Sequence, residues 1–183
     1  FNVPVRVLSS FEQGNGTLIY LKDDNNMENA LVSGIAFQKD QVKITLHGVT
    51  DTPGIAYQIL GPLSDENIEV DVIVQNVSVN GKTDFTFTVS EEDKSNAEAV
   101  LQNLKDVTYD DLIIDSDVAK VSLVCVGMRT HAGVASTAFK ALSDNEINIQ
   151  MISTSEIKIT IVIKEGALES AVKALHSAFE LEK

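Results

Sequence analysis

Several ingredients of common binding and catalytic sites are scarce in this sequence. It contains 183 residues, of which one is cysteine and none is tryptophan. A single cysteine excludes an intrachain disulfide framework and a thiolate metal cluster. Only 14 residues are lysine or arginine, against 27 aspartates and glutamates, so the formal net charge is −13. Binding to a phosphate backbone depends on basic side chains that displace counterions, so we expect no nucleic-acid partner.

Long apolar runs are also missing. No run approaches the roughly 18 residues that a membrane-spanning helix needs, and no signal peptide opens the sequence. We therefore expect a cytoplasmic protein that does not enter a membrane. The first residue is Phe1 rather than methionine, which leads us to expect that the sequence is part of a longer one.

The usual signatures of catalysis are absent as well. The histidines His47, His131 and His176 fall on a predicted strand, a loop and a helix without ligand spacing, so we expect no metal site. Cys125 lies in a predicted strand without a basic neighbour, which favours a core residue over a nucleophile. There is no glycine-rich phosphate loop and no acid/base pair with a cleft around it. The chain is not expected to be catalytic by itself.

What the sequence does contain is an internal duplication. A shift of 79 residues sets Val42 on Val121 and Gly54 on Gly133, and it sets the Leu-Ser-Asp run at 63–65 on the same run at 142–144. In both copies an apolar strand leads into a glycine-containing loop, a helix and a second β-branched strand. Two compact repeats of roughly 70 residues fit a chain of this length better than one large domain.

The first copy predicts the order strand, helix, strand, strand, helix, strand, which is the ferredoxin-like arrangement of an α+β protein. Alternation from Val42 predicts the first strand, and Pro53 suits the first position of a helix that Asp51 or Thr52 would cap. Pro62 lies within the helical pattern, so we expect a kink or an early end near Gly61. The remaining predicted elements are strands at 68–77 and 85–89, a helix whose buried face includes 97–104, and a strand at 107–114.

The second copy ends before its fourth strand. Its predicted elements are strands at 120–126, 147–152 and 157–163 and helices at 134–144 and 168–181. Upstream of the first copy, the apolar run at 30–37 is a predicted strand that belongs to neither copy of the repeat. Proteins avoid a long unpaired apolar edge, so we expect this strand to complete the second module and to nest the first within it. The predicted domains are 42–115, and 30–41 plus 116–183, with 1–29 outside both.

The loop that opens the first helix is the first candidate binding site. Backbone N–H groups at a helix start lack acceptors and the dipole favours negative charge there, so a small carboxylate fits. Asp51 adds a carboxylate beside this loop, which would suit the ammonium of a zwitterion, although helix capping is the simpler interpretation. Gln75 is either a solvent-facing strand residue or part of a site. The hydroxyl cluster at 153–156 is either an ammonium site or an ordinary hairpin turn.

Several long strings resemble one family. TDTPGIA, IEVDVIVQNVS, TDFTFTV, KVSLVCVGM and INIQMISTSEIKITIVI are closely similar to the tandem ACT-domain region of aspartate kinases. The resemblance covers nearly the whole chain, and residues 1–29 resemble the connector from the kinase domain. The lysine-phenylalanine-glycine-glycine-threonine-serine signature of the catalytic domain is absent. The chain therefore resembles the regulatory portion, or the small β subunit of an α2β2 enzyme, and ATP and magnesium would bind elsewhere, leaving no cofactor here.

The resemblance implies feedback control of aspartate phosphorylation by threonine, lysine or both. It implies ACT modules that pair across a homodimer into eight-stranded antiparallel sheets, with the effector at the interface and the kinase domain or catalytic α subunit as a partner. In the second loop, Thr130 and Ala132 stand where the first has Asp51 and Pro53, so we do not expect it to bind the same ligand in the same way. The implied contacts are Asp51, Gly54, Ile55, Ala56, Glu69, Val70, Asp71 and Gln75 in the first repeat, Asn148 and Ile149 from a partner subunit, and Ser155 and Glu156 at the family's lysine position.

Two other functions remain open at this stage. The repeats could serve only to dimerise the enzyme, in which case no amino acid would shift their stability. A self-contained enzyme on a ferredoxin-like fold is the third reading, and the missing nucleophile, metal set and phosphate loop speak against it.

Overall fold

A computed structural model describes residues 5–8, 15–19, 32–77, 80–125 and 133–181. The chain divides into two compact units, Phe1–Ala30 and Leu31–Lys183. In the first unit, strand β1 (Val5–Val7) pairs antiparallel with strand β2 (Thr17–Ile19). The predicted loop at 128–133 lies outside the described residues except for Gly133, so Thr130, His131 and Ala132 are not described.

The second unit is built on one antiparallel sheet of six strands in the order β4-β5-β3-β6-β8-β7. Among the residues described, four helices accompany it, two in each half of the chain. The elements are β3 (Val32–Thr50), α1 (Ile55–Asp65), β4 (Asp71–Val77), β5 (Lys82–Ser90), α2 (Lys94–Gln102), β6 (Asp111–Cys125), α3 (Val134–Asp144), β7 (Ile149–Thr154), β8 (Lys158–Lys164), a 3₁₀ turn (Glu165–Ala167) and α4 (Leu168–Ala178).

The two central strands serve both modules. The first part of β3, 32–38, pairs with 120–125 of β6, and residues 41–47 of its second part pair with 111–118. Strands β5 and β4 lie beside the second part of β3, and β8 and β7 lie beside the second part of β6. Each half is thus a four-stranded ferredoxin-like sheet, and the first module is nested within the second. The predicted α+β architecture is confirmed.

Each module has its own apolar core between sheet and helices. Ile44 and Phe87 belong to the first core, and Leu123 and Ile161 belong to the second. A smaller third cluster joins Val72 of β4 to three residues of the second module, Val118, Met151 and Val162. Because side chains alternate along a strand and Ile161 faces the helices, Val162 faces the opposite side of the sheet. The modules therefore meet through the faces that carry no helices.

Two predicted boundaries differ from the structure. Of the kink or early end expected near Gly61, the early end is wrong, because helix α1 continues through Pro62 to Asp65. Leu63 is fully buried in the first core, and its packing holds the last turn despite the missing proline N–H. The strands predicted separately before and after residue 40 form one strand, β3, in which Asp40 has a φ of 55°. This irregularity lets a single strand pass from one module to the other.

Candidate functional site

The start of α1 and the end of β4 enclose a small open pocket. It has a volume of about 380 Å³. Five residues predicted as ligand contacts are brought together there, although they come from two elements separated by a full helix. The lining residues are Asp51, Thr52, Pro53, Gly54, Ile55, Ala56 and Gln75. Thr52 and Pro53 were not among the predicted contacts. Their place in the TDTPGIA string, which also contains four of the predicted contacts, could have indicated them.

Backbone geometry shapes the loop. Gly54 occupies the N-cap position of α1 with a φ of 95°, a region that favours glycine. The prediction that Asp51 or Thr52 caps the helix is therefore wrong, because the chain reaches helical geometry only after Gly54. The Ile55 amide donates to the Thr52 carbonyl at 3.1 Å, and the Asp51 amide donates to the Gly81 carbonyl at 2.9 Å. The first bond closes the loop on itself, and the second holds it against Gly81, just before β5.

The pocket offers groups of opposite polarity. Amide N–H groups of the first helical turn lack intrahelical acceptors, and the helix dipole adds a partial positive charge at this end. Asp51 contributes a carboxylate beside them, and the exposed Gln75 contributes an amide that can both donate and accept hydrogen bonds. The Ile55 side chain is 5% exposed and packs into the first core, and its amide already donates to Thr52. Free amides for a ligand must therefore come from the following residues of the first turn. The arrangement can hold both charged groups of a small zwitterion.

The predicted contacts at 69–71 lie apart from this pocket. Val70 packs against the first core, while Glu69 and Asp71 line a separate cavity of about 240 Å³ that also contains Lys120. One carboxylate oxygen of Asp71 accepts from Lys120 Nζ at 2.6 Å, and the other accepts from the Val72 amide at 2.8 Å. Burial raises the pKa of Asp71, but the Lys120 ammonium and the Val72 amide outweigh it and hold that pKa below its ordinary value. The carboxylate is already engaged within the chain.

The predicted contacts of the second repeat also lie outside the pocket. Asn148 is exposed just before β7, and Ile149, the first residue of β7, packs against the second core. Ser155 and Glu156 lie in the turn between β7 and β8. The Ser155 hydroxyl accepts from the Lys158 amide at 3.2 Å and helps to close that turn. None of these four residues lines the pocket at the start of α1 in the same chain.

Sequence reasoning missed Lys120. Its side chain is 6% exposed, and its partner Asp71 is 49 residues away in the chain. The only local signal was a lysine at the start of the predicted strand at 120–126, which is otherwise apolar except for Ser122.

The described residues also bear on metal binding and on the single cysteine. Among them no group of three or more histidine, cysteine or acidic residues could hold a metal ion. Burial raises the pKa of the Cys125 thiol, and the residue belongs to the second core, as predicted. No helix within the described ranges is long and apolar enough to cross a membrane.

Comparison with known proteins identifies both modules. Two ACT-domain family models match the chain, one over residues 44–108 and one over 121–179. Aspartate kinase from Pseudomonas fluorescens is 57% identical over 183 residues, which are all of this chain and 44% of that protein. The chain thus spans less than half the length of that relative.

Two solved structures are matched over almost their whole length. A crystal structure of aspartokinase alpha and beta subunits is 48% identical with a TM-score of 0.74, covering 81% of this chain and 99% of that one. The ligand-free regulatory subunit of aspartate kinase from Thermus thermophilus is 35% identical with a TM-score of 0.76 and the same coverage. Aspartokinase III of E. coli, solved with lysine and aspartate, shares the fold at 24% identity and a TM-score of 0.71, covering 97% of this chain and 39% of that one. With two successive ACT-domain matches and a 48% identical relative covered almost end to end, the chain belongs to the aspartate kinase family, as its tandem-ACT regulatory region.

Proposed function

We propose that this chain confers feedback inhibition on an aspartate kinase by binding threonine, lysine or both. The inhibited reaction is the transfer of phosphate from ATP to aspartate in the remainder of the protein or in a catalytic subunit. The observation that carries this proposal is the pocket in which Asp51, the amides at the start of α1 and Gln75 converge.

The chemistry of the pocket suits a free amino acid. The α-carboxylate would accept hydrogen bonds from the first-turn amides of α1, where the helix dipole favours negative charge. The α-ammonium would pair with Asp51, whose carboxylate lies on the same rim. Gln75 is left for the side chain of the ligand, and a threonine hydroxyl can both donate to and accept from its amide. Ser155 and Glu156 would serve the lysine ammonium at a second position.

The proposed site is completed by a second copy of the chain. Strands β4 and β7 are the two edges of the sheet, so their outer N–H and C=O groups are available for pairing. Pairing β4 of one chain with β7 of the other would join a first and a second module into an eight-stranded sheet, and the two-fold axis of the dimer would relate two such sheets. It would also bring Asn148 and Ile149 of the partner towards the Gln75 end of β4. Residues 1–29 would then connect the regulatory modules, 42–115 and 30–41 plus 116–183, to the kinase domain of a cytoplasmic enzyme.

Ligand binding at such an interface can change how the subunits are arranged. A typical coupling between an effector site and a distant site is about 1 to 3 kcal/mol, or several-fold to about a hundredfold in affinity. This magnitude is sufficient for feedback control of a biosynthetic enzyme.

Thermal melting with and without effector tests the proposal. Threonine at a hundred times its dissociation constant should stabilise the folded protein by about 2.7 kcal/mol, because it binds only the folded state. Asp51→Ala should abolish the shift without lowering the melting temperature of the free protein. Asp65→Ala, at the exposed far end of the same helix, is the matched control and should keep the shift.

A melting temperature that threonine, lysine and their mixture all leave unchanged would contradict the proposal. It would favour a module that only dimerises the enzyme.

A further inference from the structure

Two lysines cross between the modules in opposite directions. Lys120 belongs to the second module's part of β6, and its ammonium donates to Asp71 at the start of β4 in the first module, at 2.6 Å. Lys43 belongs to the first module's part of β3, and its ammonium donates to the side-chain carbonyl of Gln150 on β7 in the second module. The side chains of Lys120 and Lys43 are 6% and 19% exposed. Each module therefore places a cation against the edge strand of the other.

The internal repeat makes these two contacts equivalent. The shift of 79 residues that superimposes the copies sets Asp71 on Gln150. The same shift sets Gln41 on Lys120, so the two lysines differ by two positions and lie on the same face of equivalent strands. The acceptors in the opposite module thus occupy one position of the repeat. Lys43 also pairs with Asp115 of its own module at 3.5 Å.

Both acceptors lie on strands that carry proposed effector contacts. Asp71 begins β4, and Gln75, four residues further along the same strand, lines the pocket at the start of α1. Gln150 follows Ile149 directly on β7. Between the two edge strands, Val72 and Met151 pack in one apolar cluster. A displacement of β4 would therefore alter the packing of β7.

The beginning of β4 is held in a strained conformation. Val72 has a φ of 45°, which is sterically unfavourable for a β-branched residue and persists only where neighbouring groups impose it. The Asp71 carboxylate accepts from the Val72 amide at 2.8 Å and from Lys120, so it is one of the groups that hold this segment. The Thr88 hydroxyl donates to the Asp71 carbonyl at 3.0 Å and holds the same segment from β5. Releasing Lys120 would allow this segment to relax.

We infer that Lys120 and Lys43 are positioning residues that transmit occupancy of the first-module pocket to the second module through β4 and β7. The inference rests on the proposed function and deepens it by naming the internal route of regulation. Neither lysine lines the pocket at the start of α1, so neither touches the effector there. The two lysines determine the degree of inhibition at saturating effector, and they do not determine the affinity for the effector. Asp71 on this account holds β4 in place and is not a ligand contact.

The test separates binding from inhibition in the enzyme that contains this chain. The variants are Lys120→Met and Lys43→Met, which remove each ammonium and keep a long apolar side chain. The control is Lys140→Met, whose lysine is 74% exposed and pairs with Asp144 on the same helix. For each protein, calorimetry without substrates gives the dissociation constant of threonine or lysine, and kinase assays give the fold-inhibition at saturating effector.

Both variants should bind effector within about threefold of the wild-type affinity, while their fold-inhibition shrinks by about fivefold or more. The control should match the wild type in both measurements. Variants that bind and are inhibited like the wild type would overturn the inference and leave the proposed function standing. Variants that lose affinity as much as inhibition would also overturn it, because the lysines would then shape the pocket.

A wild-type enzyme that neither binds nor responds to threonine, lysine or their mixture would overturn the proposed function and this inference together. If Lys120→Met does not fold, Lys43→Met decides the question alone, since its more exposed lysine leaves less buried space when replaced.

Discussion

The ammonium of Lys120 lies 2.6 Å from the carboxylate of Asp71, with 6% of the lysine side chain and 51% of the aspartate side chain exposed. The pair joins the two modules, and its partners differ in their access to water. A charge that loses its partner while buried is destabilising, whereas one that can be hydrated is tolerated. The two ends of this contact should therefore respond differently to substitution.

Asp71→Ala should lower the free energy of unfolding by about 2 to 4 kcal/mol, because it leaves the buried Lys120 ammonium without its partner. Lys120→Met should lower it by about 1 kcal/mol or less, because the half-exposed carboxylate can turn to solvent. Urea unfolding of both variants measures the difference. Equal losses of unfolding free energy in the two variants would mean that the burial of Lys120 does not determine the cost of breaking the pair.

Acid should weaken the same contact. The folded-state pKa of Asp71 lies below its ordinary value of 3.8, so the carboxylate contributes stability above that value and loses the contribution as the pH falls through the lowered pKa. Glu69 and Asp93 line the same cavity, and Lys158 adds attraction from β8. The difference in unfolding free energy between wild type and Asp71→Asn should be constant near neutral pH and shrink below about pH 4.

A pH series of urea unfolding curves measures that difference. A gap that stays constant down to pH 2 would contradict the assignment of the shift to Asp71.

Gly54 should tolerate alanine poorly for conformational rather than steric reasons. An added Cβ would meet nothing within 4 Å, but the φ of 95° is unfavourable for any residue with a side chain. Gly54→Ala should therefore lower the free energy of unfolding by about 1 to 2 kcal/mol and weaken threonine binding by displacing the first-turn amides. Gly166→Ala is the control, because its Cβ also enters open space and its φ is not positive.

Thermal melting and a threonine titration of both glycine variants check this expectation. A Gly54→Ala protein as stable as Gly166→Ala would show that the loop does not need the positive φ.

The proposed dimer makes the edge strand β7 sensitive to charge. Ile152 lies on this edge and is 42% exposed. A lysine there should weaken edge-to-edge pairing, because charged side chains on edge strands oppose the approach of another strand. Ile152→Lys should raise the dimer dissociation constant about tenfold, or about 1.4 kcal/mol. The control Ile157→Lys changes a 64% exposed residue in the adjoining turn and should leave association unchanged.

Analytical ultracentrifugation of the two isoleucine variants distinguishes these outcomes. A wild-type chain that is monomeric at all concentrations would remove the basis of the eight-stranded sheet.

The local pattern was enough to predict the modules and the first loop. The alternation from Val42 is visible among neighbouring residues, and the offset of 79 residues is visible when the two copies are compared. Together with the unplaced strand at 30–37, they led to the nested order of strands that β3 and β6 display. The pocket followed because the start of α1 and the Gln75 end of β4 lie close together in this arrangement. Periodicity along the chain was therefore sufficient for the architecture.

Long-range contacts were beyond the reach of that pattern. The polar run at 38–41 resembles a break between strands, whereas Asp40 takes a positive φ and the strand continues. Asp71 was predicted as a ligand contact by resemblance, yet its carboxylate is engaged by Lys120. Nothing in the sequence near either residue indicates this pair, since the two meet only when the modules pack. The helix cap was misassigned because a glycine with positive φ can replace a side-chain cap.

Isothermal titration calorimetry of the enzyme with threonine and lysine tests the central claim most directly. The account predicts saturable binding with about one threonine per first-module pocket, lost in Asp51→Ala and retained in Asp65→Ala. Absence of binding heat for threonine, lysine and their mixture, or undiminished binding by Asp51→Ala, would contradict it.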